Sequence, residues 1–388
     1  MKKKVLILVV VCAVLIGFFG LYSGNLDISS DLSDTVNEQL GVLDFSRLED
    51  ILKNTIDKTN FGANSFLEKV KQLINGEYTA DFSSIFSLIL STLLSGVKSF
   101  LPLLGVIMAI AILSNLLSNF KGKGKSLESV VHFVCYSTVI VIVCSQITNL
   151  INLTTQTIGQ MQQQMELTFP IILTLMASVG NTVSVGIYQP AVAVLTGGII
   201  NVFSYFIIPL FIISFVLNIV GNLSNNIKLS KLSSLLNDIF KWTIGGIFTV
   251  FTGVLMIKGI SAGSFDSMSI RTAKFAIKTY IPIVGGFLSD GFNYLIASSV
   301  LIKNSVGVAG LFILFLSIIY PVLTILAYKW CLQLISSVLE PLMDSKISSF
   351  LFGVSKALNV LIASILCVAL MFIISTALLI TTGNIYWG

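Results

Sequence analysis

Asp290, Lys303 and Glu340 are the ionisable groups whose setting suggests chemistry, because each stands in strongly apolar sequence, in YIPIVGGFLSDG, SSVLIKNSVG and SSVLEPL. A carboxylate at membrane depth costs ~2.5 to 3.5 kcal/mol on insertion scales, so Asp290 is expected to face protein and find a partner. Lys303 and Asn304 are the nearest candidates, and with Glu340 they would make a polar relay for a proton or an ion. Catalytic constellations are lacking. The single histidine, His132, has only Cys135 near it in sequence, and a metal site needs at least three ligands. Cys12, Cys135, Cys144, Cys331 and Cys367 lie in apolar runs with no C-x-x-C spacing, so they read as small hydrophobes. No Walker sequence or H-E-x-x-H occurs. The expectation is a protein that is not an enzyme and carries no cofactor or metal, with any energy source in another chain.

The elements that must position these groups follow from composition. Of 388 residues 55% are hydrophobic and only 11% charged, where soluble domains have roughly half and a quarter. With a mean hydropathy of +0.95 the chain is an all-α, polytopic membrane helix bundle, with room for nine or so segments of the ~20 residues that cross ~30 Å of hydrocarbon. Residues 1–24, MKKKVLILVVVCAVLIGFFGLYSG, have the basic start and apolar middle of a secretory signal or an uncleaved anchor. Val11 before Cys12 does not fit a lipoprotein box.

Residues 25–83 differ. They hold eleven of the 18 acidic residues, and their apolar positions (Leu48, Ile51, Leu52; Phe66, Val70, Leu73, Ile74) recur at three and four. That spacing predicts two or three amphipathic helices in a small extracytoplasmic region, too short to bury a core and so leaning on the membrane domain or a partner. Residues 84–152 read as a membrane hairpin around KGKGK (Lys121, Lys123, Lys125), which the positive-inside rule puts in the cytoplasm. Ile85 to Val97, ending at Lys98, reads as an amphipathic approach helix. LTTQTIGQMQQQMEL, which has no Lys or Arg, reads as a translocated loop. KGKGK is too short and too poor in aromatics for nucleic acid.

A repeat organises the remainder. Pro170 and Pro209 recur 112 residues later as Pro282 and Pro321, and at an offset of 115 SKLSSLL (230–236) meets SKISSFL (345–351) and Lys241 meets Lys356. Two copies of one unit are expected, at 166–260 and 278–381. Each has a short broken apolar piece (Leu167 to Tyr188; Thr279 to Val300), a long apolar stretch with a central proline, then an amphipathic helix and a final span. Proline and paired glycines are tolerable at membrane depth only where the backbone is buried or wet. Pro170, Pro209, Pro282, Gly285, Gly286, Asp290, Lys303, Asn304, Pro321 and Glu340 are therefore the candidate pore-lining or packing residues, and close helix packing through small residues is the plainer account of the same breaks. Re-entrant broken pieces would make the units parallel; full crossings would make them inverted. The parallel arrangement is preferred, and the charge rule does not decide it.

RTAKFAIKTYIPIVGGFLSDGFNYLIASSVLIKNSVGVAGL, YPVLTILAYKW and SSVLEPLMDSKI resemble the stage III sporulation protein AE family, over about Phe82 to the C-terminus. The resemblance implies a membrane component of the sporulation channel complex, in the mother-cell membrane surrounding the forespore. Implied partners are other proteins of the stage III A operon, including a separate ATPase and a ring-forming ectodomain protein, and a forespore stage II protein across the gap. The competing reading is a stand-alone secondary transporter or permease for a small solute.

Overall fold

The computed structural model describes residues 30–59, 65–75, 82–119, 125–223, 229–280, 285–341 and 345–382. Among them every regular element is helical: α1 (Ser30–Val42), α2 (Ser46–Thr59), α3 (Phe66–Ile74), α4 (Phe82–Asn119), α5 (Lys125–Ser178), α6 (182–223), α7 (Ser230–Tyr280), α8 (Gly285–Leu339), α9 (Ser345–Ala357) and α10 (Asn359–Thr381). Helix α6 is interrupted by two π turns, Val194–Ile199 and Phe203–Ile207. The signal-like residues 1–24 and the lysines Lys121 and Lys123 lie outside the described residues.

Six helices are long and apolar enough to cross a membrane among the described residues, fewer than the nine or so segments expected. Neighbouring apolar pieces have fused. LTTQTIGQMQQQMEL is no loop but the middle of the 54-residue α5. The second broken piece, Thr279 to Val300, is not a separate element either: α7 ends at Tyr280, and α8 starts at Gly285 and runs 55 residues through Pro321 without a break. At 1.5 Å per residue, α5, α7 and α8 are each about 75 to 85 Å long, well beyond the ~30 Å of hydrocarbon. Their outer parts therefore project from the bilayer.

Helix α8 is the axis. In its most apolar stretch 94% of residues are buried, against 17% in that of α4. Its neighbours are α1 to α5, α7, α9 and α10. Attraction between apolar surfaces is weak in lipid, so such contacts depend on close backbone approach. The KNSVGVAG segment supplies it: a Cβ on Gly307 would come within 2.6 Å of Ile380 in α10, and one on Gly310 within 3.1 Å of Thr168 in α5. The Gly310 carbonyl accepts the Gln164 amide at 2.5 Å.

The three amphipathic helices form as the apolar spacing predicts, and they lean on the bundle. Ser65 caps α3 by accepting from the Glu68 amide, and Phe66, Val70, Leu73 and Ile74 are buried. Lys69 of α3 stands 4.9 Å from the Phe312 ring centroid, where burial lowers its pKa against a smaller opposing effect of Glu68. In α2, Thr55 meets Ser317 at 3.4 Å, and Gln39 of α1 accepts from Ser298 and Ser299. Asp44 opens α2 by accepting from the Ser46 hydroxyl and amide, which hold its carboxyl below the usual range.

The matching segments SKLSSLL and SKISSFL each open a helix, α7 at Ser230 and α9 at Ser345. The long helices before them run the same way. Tyr188, early in α6, lies with Thr382 near Lys303 of α8; Asn218, late in α6, lies against Gly353 of α9, the helix that follows α8.

Candidate functional site

The site is a chain of buried polar contacts near the outer half of α8, and it begins where α5 breaks. Gly180 takes a φ of 93°, open to glycine at little cost, and the Gly180 and Asn181 amides bond back to Ala177 and Met176. Helix α6 starts at once, and Asn181 does not cap it through its side chain. The cap comes from α7: the carboxylate of Asp266, 1% exposed, accepts the Val183 and Ser184 amides at 2.9 Å each. A carboxylate at a helix N-terminus is placed well with respect to the helix dipole.

One and a half turns along α6 the Tyr188 hydroxyl meets that of Thr382 at 3.1 Å. Thr382 closes α10, and here the second charge enters. Lys303, 2% exposed, donates to the carbonyls of Ile380 at 3.0 Å and Thr382 at 2.6 Å. An ammonium at a helix C-terminus complements the negative end of that dipole. The node thus sets an anion on the start of α6 and a cation on the end of α10, with Tyr188 between them. Around it several buried polar atoms have no hydrogen-bond partner among the described residues: Gln164 Oε1, Thr168 Oγ1, Ser184 Oγ, Asn304 Oδ1 and Thr376 Oγ1. Acceptors of this kind in native interiors are met by internal water.

The expected site residues are only partly brought together. Lys303 is in the node and Asn304 is beside it in sequence, with a buried unpartnered oxygen. Asp290 and Lys303, expected to pair, stand 13 residues apart on one unbroken helix, about 20 Å along its axis. Glu340 is exposed, just past the other end of α8 and about 55 Å from Lys303 by the same rise, so no three-residue relay is assembled. The side chain of Asp290 and all of Pro282 lie outside the described residues; Gly285 and Gly286 open α8. Pro170 and Pro209 are exposed within continuous helices, and Pro321 is buried in α8. Sequence reasoning passed over Asp266, Tyr188 and Thr382. Asp266 carried a usable signal, being one of only seven acidic residues after Ser83.

Gly259 of α7 locks this node from the side, since a Cβ there would collide with the Tyr188 hydroxyl. Gly259→Ala is expected to destabilise by about 1 to 3 kcal/mol through overpacking. Adding Tyr188→Phe, which removes the colliding oxygen, should restore part of the loss. Thermal unfolding of the single and double variants in detergent checks both.

The family described as Stage III sporulation protein AE matches residues 64–383. The chain belongs to the stage III sporulation protein AE family. It is 29% identical over 287 residues to Stage III sporulation protein AE of Bacillus subtilis (strain 168), covering 73% of this chain and 71% of that protein. No solved structure matches. The sporulation role expected from the resemblance thus holds at the level of the family, and the six apolar helices make this AE family member a membrane protein. The match starts at residue 64, earlier than the expected Phe82, so it takes in α3. That extent agrees with the packing of α3 on Phe312, which makes it part of the bundle.

Proposed function

We propose that this chain is a non-enzymatic membrane subunit of the channel complex linking mother cell and forespore during sporulation. It sits in the mother-cell membrane around the forespore and works with the other stage III A-operon proteins, a separate ATPase among them, and with a stage II protein of the forespore. The observation that carries this reading is the family match over 64–383, joined to a bundle whose long helices project beyond the bilayer. Projecting helices overlaid by α1 to α3 offer neighbours a rigid extramembrane surface, as a subunit of an assembly needs. The transporter reading leaned on Asp290, Lys303 and Glu340 acting together, and their spacing on α8 removes that support.

A tagged copy expressed in a spore-forming host that lacks its own AE gene tests the proposal. The expected result is restored spore formation, a fluorescent ring at the engulfed forespore, and co-purification of other stage III proteins after mild cross-linking. Rescue by a protein spread evenly over the cell membrane with no stage III partner would contradict it.

A further inference from the structure

Where α2, α5 and α8 meet, each turns a hydroxyl inward at one point. The buried face of α2 runs Leu48, Leu52, Thr55, with a threonine where the spacing calls for another apolar residue. On α5 and α8 the counterparts are Thr157 and Ser317. Gln164 donates to Gly310, and seven residues away from each, in opposite chain directions, Thr157 and Ser317 line the same small cavity as Thr55. The three are 7%, 3% and 8% exposed. Buried hydroxyls are costly unless they are hydrogen-bonded, so where their atoms point decides what the cavity can hold.

All three hydroxyl hydrogens are already used. Thr55 donates to the Ile51 carbonyl at 2.8 Å, Thr157 to Leu153 at 2.7 Å and Ser317 to Ile313 at 2.9 Å, each four residues back on its own helix. The oxygens therefore offer one another lone pairs, and the 3.4 Å approach of Thr55 to Ser317 sets two acceptors side by side. Pro321 adds a further acceptor. Having no N–H, it leaves the Ser317 carbonyl, four residues before it, without the usual helical donor, and both residues line the cavity. Gln160 of α5 brings a side-chain amide to the same wall.

The cavity measures about 20 Å³. A water needs roughly 10 to 15 Å³ of such space and two to four polar partners, so there is room for one water and for no larger solute or hydrated ion. Its chemistry also matches. A wall rich in acceptors calls for a molecule with two hydrogens to give, and the Gln160 amide calls for one that can accept as well.

We propose that a single ordered water binds in this cavity and clasps α2 to the bundle. It donates to the Ser317 carbonyl on α8 and to the Thr55 oxygen on α2, and accepts from the Gln160 amide on α5, one bond to each helix. The proline that interrupts the backbone ladder of α8 thereby becomes the point at which the amphipathic helix α2 is tied to the axis of the molecule.

The test uses the full chain in lipid nanodiscs. Gln160→Met and Thr55→Val keep the volume of each side chain and remove its bond to the water. Each alone should speed hydrogen exchange of the α2 amides by roughly threefold to tenfold, the worth of one hydrogen bond. Together they should give no more than either alone, because both remove the same bridge. A reconstruction of the unmodified chain should show one peak about 2.7 to 3.2 Å from the Gln160 amide, the Thr55 oxygen and the Ser317 carbonyl. Fold-changes that multiply in the double variant overturn the shared water. So does a map in which the cavity holds no peak, or a peak held at the shorter distances of a bare metal cation.

Discussion

Lys303→Ala is expected to be the most damaging single substitution in the membrane bundle. The ammonium is 2% exposed and bonds the carbonyls of Ile380 and Thr382. Hydrogen bonds to a charged group contribute roughly 1.5 to 3 kcal/mol each, and the alanine also leaves a hole where a four-carbon stem was packed. Leaving two buried carbonyls without their donor costs about 1 to 3 kcal/mol for each unsatisfied group, a large share of the ~5 to 15 kcal/mol that holds a protein folded. Lys303→Met fills the volume without the charge and so separates the two contributions. Both variants should lower the thermal midpoint in detergent, methionine by roughly 5 to 10 °C and alanine by more. An unchanged midpoint for Lys303→Met would mean the ammonium does not hold the end of α10.

Asp266→Ala comes next. Its carboxylate is what satisfies the Val183 and Ser184 amides, because Asn181, at the N-cap position, makes no side-chain cap bond. Without it two amides at the start of α6 lose their acceptors in a site 1% exposed, at about 1 to 3 kcal/mol for each unsatisfied group. Asp266→Asn keeps one acceptor oxygen but loses the charge that suits the helix N-terminus, worth up to ~2 kcal/mol in a partly buried setting. The expected order of stability is Asp, then Asn, then Ala. Hydrogen exchange of the first turn of α6 should rise in that order, with α3 unaffected. Equal behaviour of Asn and Ala would show that the charge contributes nothing.

Composition made the helical membrane class legible, and spacing made the faces of α2 and α3 legible: Leu48, Leu52, Phe66, Val70, Leu73 and Ile74 are all buried. Helix ends were harder to read. Proline was taken as a breaker in pieces such as FPIILTL, yet Pro170 and Pro321 sit inside continuous helices. Neighbouring helices can supply the packing and polar groups needed by the carbonyl four residues before each proline, which the proline leaves without its usual donor. The real stop is Gly180, legible only through its positive φ. Lys303 was recognised as a charge in apolar surroundings. Pairing was sought with a carboxylate nearby in sequence, whereas the structure uses backbone carbonyls from the far end of the chain. Asp266 likewise bonds backbone across 82 residues, a relation no local pattern carries.

The central claim is that one buried node ties the bundle together, with Asp266 on the start of α6, Lys303 on the end of α10 and the Tyr188–Thr382 contact between them. A reconstruction of the purified protein in lipid nanodiscs measures this directly. Density should join the Lys303 side chain to the carbonyls of Ile380 and Thr382, and the Asp266 carboxylate to the Val183 and Ser184 amides. Lys303 or Asp266 turned out of the bundle, with no bond to either helix end, would contradict the account.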